Sequence, residues 1–384
     1  MRSVELVTTG VAAGGDGLAR EDDGRVVFVP GALPGERVLI EVVEEQRDFA
    51  RGRLLEVIDA SPARVTPPCP ELARGCGGCA WQHIGIDAQR DLKAQIVMDA
   101  LRRIAKLDDV PVSPTVELPA EGYRTTLRAA VHKGRAGYRK ARSHSVRTVE
   151  SCLVTHPLVA DLLVHGRYGR ANEVTLRCGA RTGERMAAPH PTDATIDVPA
   201  DVRRDHVHEQ VAGRRWRVSA RSFFQARPDG ADALVDLVRA AARGTATTGA
   251  ALDLYSGVGL FAGALAGDGW SVTAVEGSSA AVADALVNLA TDAVEIVRAD
   301  VTAWTPSPAD LVVADPSRSG LGAAGVSTVT AAAPARLVLV SCDPAALARD
   351  TTLLVQAGYH VTSLTPVDLF PHTPHVETVT VFDR

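Results

Sequence analysis

The regular alternation of strand-forming and helix-forming segments in the last third of the sequence constrains the fold most strongly. A helix is predicted over 230–243, after which apolar, β-branched runs alternate with alanine-rich helical segments. Such alternation is typical of a parallel sheet with helices on both faces, so we predict an α/β fold. The predicted parallel strands are 251–255, 271–275, 294–298, 311–314 and 337–341. Two further runs, 361–366 and 376–382, are predicted to form an antiparallel pair at the sheet edge.

The first 60 residues show a different pattern, in which short β-rich runs are separated by turns. This pattern predicts a small β-barrel, a fold that often binds oligonucleotides but also occurs as a plain packing unit. A proline-rich stretch, 61–70, then predicts a linker. The predicted barrel strands are 4–8, 25–29, 38–43 and 49–58.

The middle of the chain mixes strand and helix signals. Apolar residues recur at helical spacing from Leu92 to Ile104, which predicts an amphipathic helix. The basic residues that lie off its apolar stripe are Arg90, Lys93, Arg102 and Arg103. The other elements predicted here are strands at 127–132 and 173–177 and a helix near 157–168. The predicted domains are a barrel at 1–60, a mixed α+β central domain at 61–220 and the α/β domain at 221–384.

Composition excludes several classes of protein. A chain of 384 residues that is 46% hydrophobic can bury a large core, which excludes disorder and collagen-like repeats. No stretch approaches the ~20 uninterrupted apolar residues that a membrane helix needs, and the first 17 residues lack a secretory core. Six cysteines are too few for a disulfide scaffold of this length. We therefore expect a cytoplasmic protein without a membrane partner.

Charge is distributed unevenly along the chain. The net charge is −5, yet residues 61–150 contain 15 basic and 9 acidic side chains. Clustered cations of this kind predict a face that follows the phosphates of a nucleic acid, although a charge run is also an ordinary solvated surface. The basic residues of this face, opposed within the segment by Glu121 and Glu150, are Arg124, Arg128, Lys133, Arg135, Arg139, Lys140, Arg142 and Arg147.

A glycine-rich turn follows the first predicted strand of the α/β domain. Residues 253–262 read as the end of a strand, a turn with Gly257 and Gly259, and the start of a helix. Glycines let a ligand approach the backbone, and Glu276 after the next strand stands where a carboxylate accepts hydrogen bonds from ribose hydroxyls. The turn predicts a nucleoside-bearing cofactor. By itself it does not separate a nicotinamide dinucleotide from S-adenosylmethionine, and tight strand-to-helix packing remains the structural alternative.

Polar residues follow the later strands, where ligands bind in open α/β sheets. The strand at 311–314 is followed by Asp315, and the strand at 337–341 by Cys342. A cysteine in front of a helix N-terminus is predicted to have a lowered thiol pKa and to act as a thiolate nucleophile, although a buried inert thiol fits equally. Near the C-terminus, Glu377 enters the last strand and is a candidate general base if burial raises its pKa.

Three further cysteines are clustered within eleven residues. Cys69, Cys76 and Cys79, with Gly77 and Gly78 between the last two, have the spacing of a chelating loop. Cys152 lies far downstream and is a candidate fourth ligand. Zinc, an iron–sulfur cluster and a redox dithiol all remain open on these residues alone. Cys178 has no such companions and is assigned to core packing.

Taken together, these motifs resemble the bacterial RNA uracil-C5 methyltransferase family, S-adenosylmethionine-dependent enzymes that include the 23S rRNA and tRNA 5-methyluridine synthases. The resemblance covers nearly the whole chain. The C-terminal motifs follow the family's order, at residues 222–225, 253–261, 315–320, 341–344 and 375–377. The barrel and the cysteine spacing resemble the branch with an RNA-binding TRAM domain and a [4Fe-4S] cluster, which is typical of the 23S rRNA enzymes. The implied fold is a class I, Rossmann-like methyltransferase domain behind an OB-like barrel and a mixed α+β domain.

The resemblance also implies roles for individual residues. Cys342 is implied to add to uracil C6, and Glu377 to remove the C5 proton. The implied cofactor-binding residues are Gln225, Tyr255, Gly257, Glu276, Asp300 and Asp315. The implied cluster ligands are Cys69, Cys76, Cys79 and Cys152. We expect a monomer that acts on RNA, with 23S rRNA as the expected substrate.

Three other functions remain open at this point. The first is tRNA 5-methyluridine synthesis. The second is a nicotinamide-dependent oxidoreductase, which leaves Cys342, Glu377 and the cysteine cluster unexplained. The third is a non-catalytic iron–sulfur RNA-binding protein, against which the presence of Cys342 and Glu377 counts.

Overall fold

The computed structural model describes residues 2–140, 143–243 and 249–384. Within these ranges the chain forms a closed barrel, a five-stranded sheet, a two-stranded hairpin and a seven-stranded sheet. No helix in the described ranges has both the length and the apolar character to cross a bilayer.

The predicted N-terminal barrel is confirmed. Its strands are β1 (Ser3–Val11), β2 (Gly17–Arg20), β3 (Val26–Val29), β4 (Arg37–Glu45) and β5 (Phe49–Asp59). They close in the order β1-β2-β3-β5-β4, and alternate side chains such as Val27, Val38 and Ile40 fill the interior. β2 is not among the predicted strands, because its first residue, Gly17, belongs to a glycine-rich stretch that is typical of a turn. Gly17 is required there because a Cβ would lie 2.6 Å from the carbonyl oxygen of Ala32.

The second sheet is antiparallel, with the order β10-β9-β6-β7-β8. Its strands are β6 (Thr126–His132), β7 (Arg135–Arg139), β8 (Val146–Arg147), β9 (Glu173–Cys178) and β10 (Arg185–His190). The helices of this region are α1 (Pro70–Ala73), α2 (Ile86–Ala100, extended by a π turn at Leu101–Ala105), α3 (Pro157–His165) and a 3₁₀ turn at Ala200–Val202. One face of the sheet packs on α3, where Leu162 and Leu163 meet Leu127, Val174 and Leu176.

The seven-stranded sheet has the predicted α/β architecture. Its strands are β13 (Ala250–Leu254), β14 (Ser271–Glu276), β15 (Val294–Arg298), β16 (Leu311–Ala314), β17 (Arg336–Ser341), β18 (His360–Val367) and β19 (Glu377–Asp383). Its helices are α4 (Pro228–Ala242), α5 (Leu260–Gly267), α6 (Ser279–Asn288), a 3₁₀ turn at Val301–Ala303, α7 (Gly322–Ala332) and α8 (Pro344–Gln356). Its strand order is β15-β14-β13-β16-β17-β19-β18, and the first five strands are parallel.

The predicted antiparallel pair is present, and its position matters for the site. β19 lies antiparallel between β17 and β18, so that β18 is the edge strand. Because β19 runs opposite to the parallel strands, its first residue lies at the same edge of the sheet as their last residues. Glu377 at the start of β19 therefore meets the end of β17, where Ser341 pairs with Thr378.

Helix α2 joins the cysteine-containing region to the seven-stranded sheet. Its residues Val97 and Ala100 pack in the same apolar cluster as β16 and β17. Lys93, which was predicted to lie off the apolar stripe of this helix, does not face solvent. Lys93 is fully buried, and its ammonium group donates to the carboxylate of Asp368 at 2.5 Å.

A hairpin of β11 (His206–Val211) and β12 (Arg214–Ser219) is attached to α6 through the side chains of Asn288 and Asp284. Asp284 is fully buried and accepts hydrogen bonds from the backbone N–H of Ser219 at 2.8 Å and the hydroxyl of Ser222 at 2.5 Å. The guanidinium of Arg217 pairs with the same carboxylate. The hairpin also places Trp216 in the core that covers the seven-stranded sheet.

We predict that Asp284→Ala lowers the free energy of unfolding by about 3–5 kcal/mol, because it leaves the guanidinium of Arg217 and three other donors, the N–H and hydroxyl of Ser219 and the hydroxyl of Ser222, without their buried acceptor. The shift in the urea midpoint measures this loss. Asp99→Ala is the control, because Asp99 forms an exposed pair with Arg102 and its removal is expected to cost at most about 1 kcal/mol. Equal midpoints for the two variants would contradict the prediction.

Candidate active site

The glycine turn after β13 borders a pocket at the carboxyl edge of the seven-stranded sheet. Four of the six predicted cofactor-binding residues line this pocket: Gln225, Tyr255, Gly257 and Asp315. Gly257 has a φ of +57°, and a Cβ built on it would meet no atom within 4 Å, so the turn faces open space. Gly259 has a φ of +92° and closes the turn against Leu289, where a Cβ would lie 2.5 Å from a methyl group. The turn therefore combines left-handed backbone geometry with room for a ligand.

Glu276 and Asp300, the other two predicted cofactor-binding residues, lie beside this pocket. The Glu276 carboxylate accepts the backbone N–H of Gly257 at 2.9 Å and that of Ser278 at 2.6 Å. Asp300 is exposed and accepts from the N–H and hydroxyl of Thr302, and these bonds lower its pKa. Burial raises the pKa of the Tyr255 phenol, and the negative charges of Asp300 and Asp350 contribute to the increase.

Asp315 stands between the pocket and the later strands. Its carboxylate accepts from the Gln225 amide at 3.2 Å, and its desolvation raises its pKa to about 7. Gln225, from the segment before α4, is thereby held against the end of β16. The arrangement brings together two predicted residues that lie 90 positions apart in sequence.

Cys342 follows β17 and precedes α8, as predicted, but the predicted lowering of its thiol pKa is wrong. Burial, followed by the charges of Glu377 and Asp315, raises the pKa of Cys342 to about 12, while Arg318 opposes the increase. Asp343 occupies the N-cap of α8 and accepts the N–H of Ala346 at 2.7 Å. The field of the helix N-terminus is therefore outweighed by desolvation and two nearby carboxyl groups.

Glu377 is buried, and its pKa is raised well above the usual value by desolvation and by Asp315. Glu377 was a candidate general base on condition that burial raises its pKa, and burial does raise it. Arg318 is exposed and counteracts the increase. The edge of the sheet thus gathers a thiol and two carboxyl groups that hold protons more tightly than in water.

Two features of the site were not singled out by the sequence analysis. Asp253 is fully buried, with a pKa raised to about 8; one carboxylate oxygen accepts the N–H of Ala262 at 2.8 Å, and the other has no hydrogen-bond partner in the part of the chain that the structure describes. Phe223, at the mouth of the pocket, is 68% exposed. An acidic residue inside an otherwise apolar strand was the available signal for Asp253, whereas exposure of Phe223 has no signal in the sequence.

The predicted basic face lies mainly on β6, β7 and the turns beside them. Its charge is reduced by a residue outside the segment, because Glu173 of β9 pairs with Arg128 at 2.6 Å and lies 3.8 Å from Arg139. Arg135 is exposed and donates to the carbonyl of Val164. Arg142 lies outside the described residues.

The four predicted cluster cysteines line one cavity. Cys69 and Cys79 are buried, Cys76 and Cys152 are partly buried, and all four are free thiols. The hydroxyl of Thr155 donates to the sulfur of Cys152 at 3.0 Å. Burial raises the pKa of Cys76, and raises that of Cys79 to about 12.

These thiols surround the cavity without converging on one point. Among the described residues, no three His, Cys, Asp or Glu side chains are arranged to hold a single metal ion. A single zinc ion needs four ligand atoms within about 2.3 Å of one centre. Four cysteines are also the usual ligands of an iron–sulfur cluster. In such a cluster the thiolates bind separate irons and need not converge on one metal ion.

Comparisons with known proteins agree with this architecture. Residues 4–55 match the model of the TRAM domain. The chain is 38% identical to a protein of Streptomyces avermitilis described as an uncharacterized RNA methyltransferase, over 97% of this chain and 96% of that one. It is 32% identical to the 23S rRNA (uracil(1939)-C(5))-methyltransferase RlmD of Halomonas elongata, over 99% of this chain and 89% of that one.

A solved structure has the same fold over the whole chain. The tRNA (uracil-54, C5)-methyltransferase of Pyrococcus abyssi, in complex with S-adenosyl-L-homocysteine, superposes with a TM-score of 0.77. The match covers 99% of this chain and 100% of that chain, at 24% identity.

We predict that alkylation of Cys342 by iodoacetamide accelerates about tenfold for each pH unit between pH 7 and 9. The thiolate is the reactive form, and a pKa of about 12 keeps its fraction rising throughout this range. Peptide mapping by mass spectrometry measures the rate at each cysteine. Cys178 is the control, since its pKa is also about 12 but it is buried, so its alkylation stays slow. A rate at Cys342 that levels off below pH 8 would contradict the prediction.

Proposed function

Because the chain belongs to the bacterial RNA uracil-C5 methyltransferase family, we propose that it transfers a methyl group from S-adenosylmethionine to C5 of a uridine in 23S rRNA. One observation carries the proposal: Cys342 and Glu377 adjoin the paired residues Ser341 and Thr378, so the thiol and the carboxyl group lie close together beside the pocket of the glycine turn. A nucleophile and a proton acceptor at one edge of the sheet are the two groups that substitution at uracil C5 needs.

Cys342 is proposed as the nucleophile. Its sulfur adds to C6 of the uracil, the C5=C6 double bond opens, and C5 becomes an enolate-like carbon that can accept a methyl group. The thiol must first lose its proton, which its raised pKa opposes. Any positive charge brought close to Cys342 favours the thiolate, and Arg318 already acts in this direction.

Glu377 is proposed as the general base. After methylation, its carboxylate takes the proton from C5, the electron pair of that C–H bond restores the C5=C6 double bond, and the C6–S bond breaks. Cys342 leaves as the thiolate. Burial and the neighbouring Asp315 raise the proton affinity of Glu377, which suits a group that must remove a proton from carbon.

The pocket residues fit S-adenosylmethionine, which supplies an electrophilic methyl group when bound. Gly257 leaves space for close approach, and the Glu276 carboxylate lies where ribose hydroxyls can replace its bonds to Gly257 and Ser278. Tyr255, Gln225 and Asp315 line the pocket, and Asp300 lies close enough to raise the pKa of Tyr255. These residues are proposed to bind and orient the cofactor.

The substrate base must be presented outside a helical stack. Uracil C6 is inaccessible inside a duplex, so the target is single-stranded or flipped, at a cost of a few kcal/mol. We propose that the TRAM barrel and the basic face on β6 and β7 hold the flanking RNA. The RlmD relative acts on 23S rRNA, and this favours rRNA over tRNA as the substrate.

We also propose that Cys69, Cys76, Cys79 and Cys152 bind a [4Fe-4S] cluster. Four free thiols around one cavity fit this group, and the hydroxyls of Tyr138 and Thr155 can donate to the sulfur of Cys152, as is common around cluster ligands. The methylation chemistry needs no electron, so the role we assign to the cluster is to organise this region.

The decisive assay uses labelled S-adenosylmethionine and total RNA from a strain that lacks the gene. We expect label in 5-methyluridine of the large rRNA, lost in Cys342→Ala and retained in the matched variant Cys178→Ala. Nucleoside analysis of size-separated RNA measures it. Label in tRNA would overturn the choice of substrate, and no label in any RNA would overturn the methyltransferase proposal.

Glu377→Gln is expected to stop the reaction at its last step. Addition and methyl transfer do not need the base, so the protein should accumulate on ordinary RNA as an adduct that survives denaturation, while release of product falls by 10²-fold or more. Gel electrophoresis with labelled RNA measures both quantities. Free product release by this variant at the normal rate would exclude Glu377 as the base.

The anaerobically purified protein is expected to contain about four irons and four acid-labile sulfides per chain. Cys76→Ser and Cys79→Ser should lose them, whereas Cys178→Ser, outside the cavity, should keep them. Colorimetric iron and sulfide analysis measures this. A full cluster in the Cys76→Ser/Cys79→Ser double variant would exclude these ligands.

A further inference from the structure

The loop of residues 368–376 connects β18 to β19 and ends at Glu377, the proposed general base. We propose that Gln89, Lys93 and Tyr123 are positioning residues that hold this loop, and with it the carboxylate of Glu377, in place for removal of the C5 proton. This inference rests on the proposed function and adds residues that do not line the pocket of the glycine turn. We call these three residues the clamp.

The backbone of the loop finds its hydrogen-bond partners in another part of the chain. The N–H of His372 donates to the side-chain oxygen of Gln89 at 2.7 Å, and the carbonyl of His372 accepts the N–H of Trp81 at 2.9 Å. The hydroxyl of Tyr123 donates to the carbonyl of Pro371 at 3.1 Å. Buried backbone groups need such partners, so the loop takes its shape from residues 81–123.

Gln89 is itself fixed in orientation. It is fully buried on α2, and its amide donates to the carbonyls of Ile84 at 2.8 Å and Trp81 at 3.2 Å. These two bonds fix the orientation of the amide, so that its oxygen faces the N–H of His372 in the loop. His372 has a φ of +66°, a conformation that a non-glycine residue keeps only when its surroundings impose it.

Lys93 holds the first residues of the loop. Its ammonium group donates to the Asp368 carboxylate at 2.5 Å and to the carbonyl of Phe370 at 3.0 Å. Lys93 and Asp368 are both fully buried, so neither charge has water as an alternative partner. The N–H of Asp368 donates to the carbonyl of Val116, which fixes the end of β18.

The clamp also touches the cysteine cavity. Phe370 packs against Cys79, Tyr123 and Val154 in one apolar cluster. Trp81 follows Cys79 by two residues, and the side chain of Gln82 accepts the N–H of Cys69 at 3.1 Å. A group bound by the cysteines would stabilise the segment that carries Trp81, and through it the loop.

The position of Glu377 matters for one step only. Addition of Cys342 to C6 and methyl transfer to C5 do not use its carboxylate, whereas proton removal from C5 and expulsion of the Cys342 thiolate do. A shift of about 1 Å in a reacting group can cost about 10²-fold in rate. A loosened clamp should therefore leave the methylated adduct attached to Cys342.

The variants Tyr123→Phe, Gln89→Leu and their combination test the clamp. Tyr359→Phe is the matched control, because its hydroxyl also donates to a proline carbonyl, that of Pro334, at 3.1 Å and in a buried setting. Each variant is given two RNAs with S-adenosylmethionine. One contains ordinary uridine, and the other contains 5-fluorouridine, which has no C5 proton to remove and traps the adduct without any use of the base.

The expected pattern separates the last step from the earlier ones. With ordinary uridine, the double variant should turn over about tenfold to hundredfold more slowly and accumulate adduct, whereas Tyr359→Phe should behave as the unaltered protein. With 5-fluorouridine, all variants should trap RNA at closely similar rates. Unchanged turnover in the double variant would overturn the proposal, as would an equal loss of turnover and of 5-fluorouridine trapping.

Hydrogen exchange gives a readout that does not depend on activity. The His372 amide should lose protection in Gln89→Leu and keep it in Tyr359→Phe; unchanged protection in Gln89→Leu would contradict the clamp. If the unaltered protein neither methylates RNA nor traps 5-fluorouridine, the proposed function has failed. If it does both and the clamp variants match it, the clamp alone has failed.

Discussion

The buried ion pair between Lys93 and Asp368 is the contact on which the arrangement of the site depends. It joins residues 275 positions apart, and both side chains are fully buried. Removing Asp368 would leave the buried Lys93 ammonium group without its carboxylate, at a cost of about 3–5 kcal/mol, whereas removing Lys93 would leave Asp368 with the more distant guanidinium of Arg90 at 3.6 Å. Through this pair the helix that follows the cysteines is fixed to the loop that ends at Glu377.

The topology of the seven-stranded sheet determines which groups can meet. Asp315 and Cys342 follow parallel strands and lie at their carboxyl ends, where such sheets bind ligands. Glu377 reaches the same edge only because β19 runs in the opposite direction between β17 and β18. The antiparallel strand thus places Glu377, the proposed proton acceptor, beside Cys342, the proposed nucleophile, which follows β17.

Burial and electrostatic interactions then determine how readily these groups lose their protons. Desolvation raises the pKa values of Asp253, Asp315, Cys342 and Glu377, and the acidic groups reinforce one another. The edge of the sheet is therefore a site that favours bound positive charge. A sulfonium cofactor has such a charge, and its presence would favour the thiolate and the carboxylate forms that the proposed reaction uses.

The sequence predicted much of the fold, because buried strands are apolar runs that end abruptly and the helices between them have helical spacing. It was less informative where several segments converge. The rise in the thiol pKa of Cys342 comes first from burial and then from the carboxyl groups of Glu377 and Asp315, which belong to other segments, so no local pattern shows it. Lys93 looks like a solvent-facing residue of an amphipathic helix, and only the position of Asp368 on a distant loop explains its burial.

The proposed reaction depends on a covalent bond between Cys342 and the uracil of an RNA substrate. Mass spectrometry of the adduct formed with 5-fluorouridine-containing RNA and S-adenosylmethionine detects this bond, because it identifies the modified residue after digestion. We expect one methylated fluorouridine attached to the peptide that contains Cys342. An adduct on any other residue, or methylation of uridine RNA by a protein that never forms an adduct, would contradict the proposed reaction.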